Sequence, residues 1–197
     1  MINCLLCGVG GQGTVLASRV LAQTAMEQGL FARTAETIGM AQRGGCVVSH
    51  VRIGPCASPM IPLGGANILI AFEPGEAVRA LPYLKPDGVV VVNLQAVQPV
   101  TASLTGKRLD ASEMIAYLKT HAARVIVVDG QTVCMQCGTP KVLNTVLLGA
   151  AIEAGALGFT SAQVAQVLLS RLPEKVHAVN QKALALGALA AKGADPA

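Results

Sequence analysis

Two spacings that could do chemistry overlap near the start of the chain. Cys4-Leu-Leu-Cys7 is a thiol pair of the kind that can grip a soft metal. Gly8-Val-Gly10-Gly11-Gln12-Gly13 is a glycine loop of the kind that lets a dinucleotide approach the backbone. The element beneath decides between them. Ile2 to Cys7 is a short apolar run closed by glycines, which reads as a buried strand. On a strand, residues three apart point to opposite faces and stand about 10 Å apart. Cys4 and Cys7 are therefore not expected to share an ion. Cys134-Met-Gln-Cys137 is better placed, because a turn there would bring the two sulfurs together. No second close pair completes four ligands, and a ferredoxin-type cluster needs a denser run of cysteines. The expectation is no metal in this chain, with buried cysteines acting as small hydrophobes.

The glycine loop sits between a predicted strand and a helical pattern from Gln12 to about Gln28, the context that a dinucleotide fingerprint requires. Glycines permit the tight turn, and the helix start offers free N–H groups and a positive dipole end to an anion. Thr14-Val15 follow where a nucleotidase phosphate loop needs Lys and then Ser or Thr, so that loop is excluded. Glu36, ending the predicted second strand, stands about 20 residues beyond, where a ribose-binding acid would sit. Ligand contact and simple helix–sheet packing are both open for these glycines.

A second loop, Gln42-Arg43-Gly44-Gly45, follows the carboxyl end of that strand, where open α/β sheets bind ligands. Arg43 there could clamp a phosphate or carboxylate bidentately. Glu73-Pro-Gly-Glu76 follows another buried run and either faces the same crevice or complements a helix dipole. His50, in a β-branched run, reads as a hydrogen-bonded structural residue. His121 and His177 read as solvated helix positions. No catalytic constellation is evident.

The elements that must position these residues alternate. Strands are expected at Phe31–Glu36, Cys46–Ile53, Asn67–Phe72, Val89–Val92 and Arg124–Val128. Lys85-Pro-Asp-Gly88 reads as the turn into the fourth of these. Helices are expected from Glu73 to near Leu84, over Ala111–His121, from Thr139-Pro140 to about Gly155, and from about Glu174. Another starts at the capping box Thr160-x-x-Gln163, with Val164, Val167, Leu168 and Leu172 on one face. The strands are continuously apolar rather than alternating, so both faces are covered. The expected fold is a Rossmann-like, doubly wound α/β domain with a mostly parallel sheet. It spans residues 1–191, with a frayed tail from 192 to 197.

Bulk composition narrows the function. The 197 residues suffice for one domain with a sizeable core. The net charge of +4 comes from scattered basic residues, and aromatics are 3 % with no Trp, which argues against nucleic acid. No apolar run approaches the roughly 20 residues of a membrane span. The start carries no leader pattern, which predicts a cytoplasmic chain whose six cysteines are thiols. At 52 % apolar and 13 % charged, the chain is suited to hiding surface against a partner.

Several segments together resemble a known family. They are Gly8-Val-Gly-Gly-Gln-Gly13 with Ala17-Ser-Arg-Val-Leu21, and Gly39-Met-Ala-Gln-Arg-Gly-Gly45 running into Val48-Ser-His-Val-Arg52. Ser58-Pro-Met-Ile-Pro62, Ala71-Phe-Glu-Pro74, Leu81-Pro-Tyr-Leu-Lys-Pro86, Pro140-Lys141, Asn144 and Leu147-Leu-Gly149 follow in order. The chain resembles the gamma domain of the 2-oxoacid:ferredoxin oxidoreductases, in the indolepyruvate branch, over nearly its whole length. It departs from the pattern at Ile38, where a His is common, and at Gly65 and Asn67, where acids are common.

The resemblance implies a small subunit, inactive alone, in a complex that oxidatively decarboxylates a 2-oxoacid with coenzyme A and reduces ferredoxin. Thiamine diphosphate and iron–sulfur clusters are then expected in a large alpha subunit, with coenzyme A at this chain's surface. The implied cofactor border is Gly8, Gly10, Gly11, Gln12, Gly13, Gln42, Arg43, Gly44 and Gly45. Isolated chains are free to form homo-oligomers. Two other readings compete: a free-standing nicotinamide- or flavin-dependent enzyme using Gly8–Gly13 and Glu36, and an assembly module with no ligand.

Overall fold

The computed structural model describes residues 1–39, 45–98 and 110–194. Six strands form one sheet in the order β2-β3-β1-β4-β5-β6. They are β1 (Ile2–Val9), β2 (Ala32–Ile38), β3 (Cys46–Ile53), β4 (Ala66–Ala71), β5 (Leu84–Asn93) and β6 (Arg124–Val128). β1, β4, β5 and β6 are mutually parallel, whereas β3 runs antiparallel to both β1 and β2. The doubly wound, mostly parallel α/β architecture expected from the apolar strands is present.

Side-chain alternation along β1 divides the core. Cys4 and Leu6 join one apolar cluster, with α1 (Thr14–Glu27), α4 (Gly130–Cys137), α5 (Leu143–Glu153), α6 (Ser161–Ser170) and α7 (His177–Ala194). Leu5 and Cys7 join a second cluster on the opposite face, under α2 (Pro74–Ala80) and α3 (Ala111–His121). The two cysteines thus lie on opposite sides of the sheet, as their spacing on a strand requires. Burial pushes both thiols well above their ordinary pKa.

Three sequence expectations are corrected. Lys85-Pro-Asp-Gly88 is not a turn before the strand. β5 begins at Leu84, and the segment bulges out of register between the Ala66–Leu84 and Ile68–Val89 pairs. The helix expected to reach Leu84 stops at Ala80 and ends in a single 3-10 turn, Leu81–Tyr83. Residues 130–137, where no helix is expected and a turn is one way to bring Cys134 and Cys137 together, form the helix α4, capped by Asp129, whose side chain accepts from Thr132 N–H. Elsewhere local chemistry and structure agree. Thr160 and Gln163 form the reciprocal capping box that starts α6.

One packing relationship depends on glycine. α5 and α7 cross at Gly149 and Gly187. A Cβ on Gly149 would run into the Leu184 carbonyl oxygen, and one on Gly187 into that of Val146. Only bare backbone lets these two helices meet so closely.

Candidate functional site at the carboxyl edge of the sheet

β1 leads into α1 on one face, whereas its parallel neighbour β4 leads into α2 on the other. Adjacent strands whose helices depart to opposite faces leave a crevice outside their carboxyl ends, where such sheets bind ligands. Here the glycine loop lies at that point. Gly13 caps α1 with φ 89°, a left-handed conformation that an L side chain resists. A Cβ on Gly8 would meet both Gln12 Oε1 and Phe72 Cβ at 2.7 Å. The glycines therefore close the strand-to-helix turn against β4. No side chain caps α1, whose first N–H groups have no intrahelical partner.

Amide side chains lace the strand ends together. Gln12 Oε1 accepts from Val9 N–H at 2.7 Å, and Gln12 Nε2 donates to the Phe72 carbonyl at 3.2 Å. Asn93, at the end of β5, donates to the same carbonyl at 3.1 Å and accepts from Gly130 N–H at 3.2 Å. Gln95 donates to Asp129 Oδ1 at 2.7 Å and accepts from Gln131 N–H at 3.1 Å. The hydroxyl and backbone N–H of Thr132, and to a lesser degree Gln95, donate to Asp129 and hold its carboxyl below the ordinary carboxylate range.

Above this lattice lies a cavity of about 600 Å³. Gln12, Asn93, Gln95 and Gln131 give it uncharged hydrogen-bonding groups, and Cys134, Met135, Pro140 and Leu143 give it an apolar wall. Its size and mixed lining suit a small organic ligand. Sequence reasoning missed Asn93, Gln95, Gln131 and Cys134 as a lining. The available signal was a polar residue closing each all-apolar strand: Asn93 after Val89–Val92, and Asp129 after Val125–Val128.

The expected site residues divide. The glycine loop and the second loop meet directly, because Gly10 N–H donates to the Gly45 carbonyl at 2.9 Å. Gly8, Gly10, Gly11, Gln12 and Gly13 all lie at this edge. Gln42, Arg43 and Gly44 lie outside the described residues. Glu36 is set apart: β3 separates its strand from β1, and its carboxylate faces Arg19 of α1 at 3.8 Å.

On the opposite face, Glu73 and Glu76 are buried. Glu73 caps α2 by accepting from Glu76 N–H at 2.8 Å, and Glu76 pairs with Arg79. The helix-capping reading of these acids holds for Glu73. His50 is buried, accepts from Ile61 N–H through Nδ1 at 3.2 Å, and meets Tyr83 edge-on. Burial lowers its pKa. Arg52 fans out to Asn3 and to the carbonyls of Ser58 and Met60, pinning the proline-rich loop. The Ser-His-Val-Arg stretch therefore supports structure here.

A family model described as pyruvate ferredoxin/flavodoxin oxidoreductase matches residues 3–190. The chain belongs to this family. Relatives named indolepyruvate oxidoreductase subunit IorB include that of Archaeoglobus fulgidus, 38 % identical over 188 residues, covering 94 % of this chain and 93 % of the relative. The counterpart in Thermococcus kodakarensis is 34 % identical and covers 96 % of each. The fold matches a keto/oxoacid ferredoxin oxidoreductase gamma subunit from Geobacter sulfurreducens, with TM-score 0.72 at 24 % identity over 98 % of this chain and all of that one. It also matches a 2-oxoglutarate:ferredoxin oxidoreductase from Magnetococcus marinus, solved with 2-oxoglutarate, coenzyme A and succinyl-CoA bound. The TM-score is 0.71 at 18 % identity, and this chain covers 32 % of that longer one. Family membership favours an oxidoreductase subunit over the free-standing nicotinamide or flavin enzyme. Among the described residues, no group of three or more His, Cys, Asp or Glu could hold a metal ion, and no helix is long and apolar enough to cross a membrane.

Proposed function

We propose that this chain is the small subunit of a 2-oxoacid:ferredoxin oxidoreductase acting on an aryl 2-oxoacid such as indolepyruvate. A large partner subunit carries thiamine diphosphate and iron–sulfur clusters, which supply decarboxylation and electron transfer to ferredoxin. The ligand geometry of this chain fits that division. Its cysteines lie on both faces of β1, at the start of β3, in the loop after β3 and on α4, and among the described residues no group of three or more His, Cys, Asp or Glu could hold a metal ion.

The part of the reaction assigned to this chain is reception of coenzyme A at the carboxyl edge. The observation that carries this is the bond from Gly10 N–H to the Gly45 carbonyl. It joins the glycine loop to Gly45, the residue that follows Gln42-Arg43-Gly44 in the sequence. The uncapped start of α1 and Arg43 suit phosphate groups. The amide-lined cavity beside Gln12 suits an uncharged, elongated arm.

Steady-state kinetics of the assembled complex test the assignment. Arg43→Ala raises the KM for coenzyme A at least tenfold and leaves the KM for the 2-oxoacid unchanged. An unchanged coenzyme A KM would return the chain to the role of a pure assembly module.

A further inference from the structure

The last turn of α4 carries a thiol pair that the proposed function does not use. Cys134 is buried and lines the cavity, with its sulfur 4.0 Å from the Pro140 carbonyl. Cys137, three residues on, is half-buried. The turn ends at Gly138, with φ 78°. Gly138 N–H donates to the Met135 carbonyl at 3.0 Å, and Thr139 N–H donates to that of Cys134 at 3.2 Å. The Gly138 N–H also reaches the Cys134 carbonyl, so it is shared between an i→i+4 and an i→i+3 acceptor, the kind of bonding that narrows the last turn of a helix.

Even in a regular α-helix residues three apart have Cβ atoms about 5–6 Å from each other. A disulfide needs roughly 3.5–4.5 Å, within reach of a terminal turn. The other four thiols lack this arrangement. Cys4 and Cys7 are fully buried on opposite faces of β1. Cys46 begins β3, and Cys56 lies beyond its end. Lys182 donates to the Gln136 carbonyl at 2.6 Å, anchoring an ammonium group at this end of α4.

We propose that Cys134 and Cys137 form a reversible dithiol–disulfide pair in the cavity wall, oxidised by low-molecular-weight disulfides. Cys137 is the more accessible and reacts first. Its thiolate attacks one sulfur of the disulfide RSSR. The S–S bond breaks, and the departing thiolate takes up a proton in place of the one Cys137 released, leaving as RSH. Cys134 then loses its proton, attacks the Cys137 sulfur and expels a second RSH. Two protein thiols are oxidised to one disulfide, and RSSR is reduced to two thiols. Burial pushes the Cys134 thiol up to about 11, which sets this order. Closure turns the Cys134 sulfur away from Pro140 and reshapes the wall beside Thr139 and Pro140.

Peptide mapping of the full chain tests this after incubation with glutathione disulfide and trapping by alkylation. The expected result is loss of two of the six thiols, joined as a Cys134–Cys137 link and restored by dithiothreitol. Cys134→Ser stalls with glutathione on Cys137. Cys137→Ser leaves Cys134 modified at least tenfold more slowly. If neither variant folds, the map of the unaltered chain decides alone. The proposal is overturned if residues 134 and 137 both alkylate as free thiols under conditions that modify Cys46 or Cys56, or if each carries a separate glutathione. The readout needs neither partner subunit nor coenzyme A, so it stands apart from the proposed function.

Discussion

Gln12 and Asn93 donate to one carbonyl, that of Phe72, at 3.2 and 3.1 Å from opposite sides of the β4 end. Gln12 comes from the loop after β1, and Asn93 ends β5. The second ends of both side chains are also engaged, at Val9 N–H and Gly130 N–H. Four parallel strands therefore finish in one hydrogen-bonded lattice, and the cavity floor is set by it.

Breaking that lattice has a defined cost. Asn93→Ala leaves the buried Gly130 N–H without its acceptor, and Gln12→Ala does the same to Val9 N–H. Each is expected to lower stability by about 1–3 kcal/mol. Either single variant leaves the Phe72 carbonyl bonded to the other side chain, and only the double variant frees it, so the double should lose more than the sum of the singles. Urea unfolding of the four proteins in the cycle measures both quantities. Strict additivity would show that the shared carbonyl does not couple them.

His50 should make stability pH-dependent. Burial lowers its folded pKa below the unfolded value of about 6.5. The unfolded chain therefore takes up the proton first. The stabilising contribution is complete above pH 6.5 and is lost as pH falls through the lowered folded value. His50→Gln removes this dependence. The stability difference between the parent and His50→Gln should be flat above neutrality and shift against the parent on acidification. An imidazole NMR titration of His50 with a midpoint above 6.5 would contradict the burial account.

Gly149→Ala and Gly187→Ala should each destabilise, because the added methyl meets a carbonyl oxygen of the facing helix rather than a flexible side chain. Overpacking of this kind costs about 1–3 kcal/mol or more. In an exposed helix the same change would stabilise. A raised melting temperature in either variant would show that α5 and α7 can separate cheaply.

Much of this fold was legible because buried parallel strands are written as unbroken apolar runs. Cys46–Ile53, Ala111–His121 and Arg124–Val128 have the bounds read from sequence. The glycine loop was legible for a similar local reason, since strand, glycines and helix are contiguous. What escaped depends on distant contacts. Gly130 obscured α4, although Asp129 and Thr132 form its cap. Gly149 and Gly187 carry no sequence mark distinguishing a helix crossing from a weak helix position. The antiparallel insertion of β3 between β1 and β2, which sets Glu36 apart from the cavity, is a matter of strand order that local pattern does not encode.

The central claim is that this chain completes a larger oxidoreductase. Its most direct test is coenzyme A-dependent reduction of ferredoxin by indolepyruvate, measured with the thiamine-dependent large subunit before and after this chain is added. The account predicts negligible reduction by either component alone and sustained turnover when both are present. Full turnover by the large subunit without this chain would contradict it.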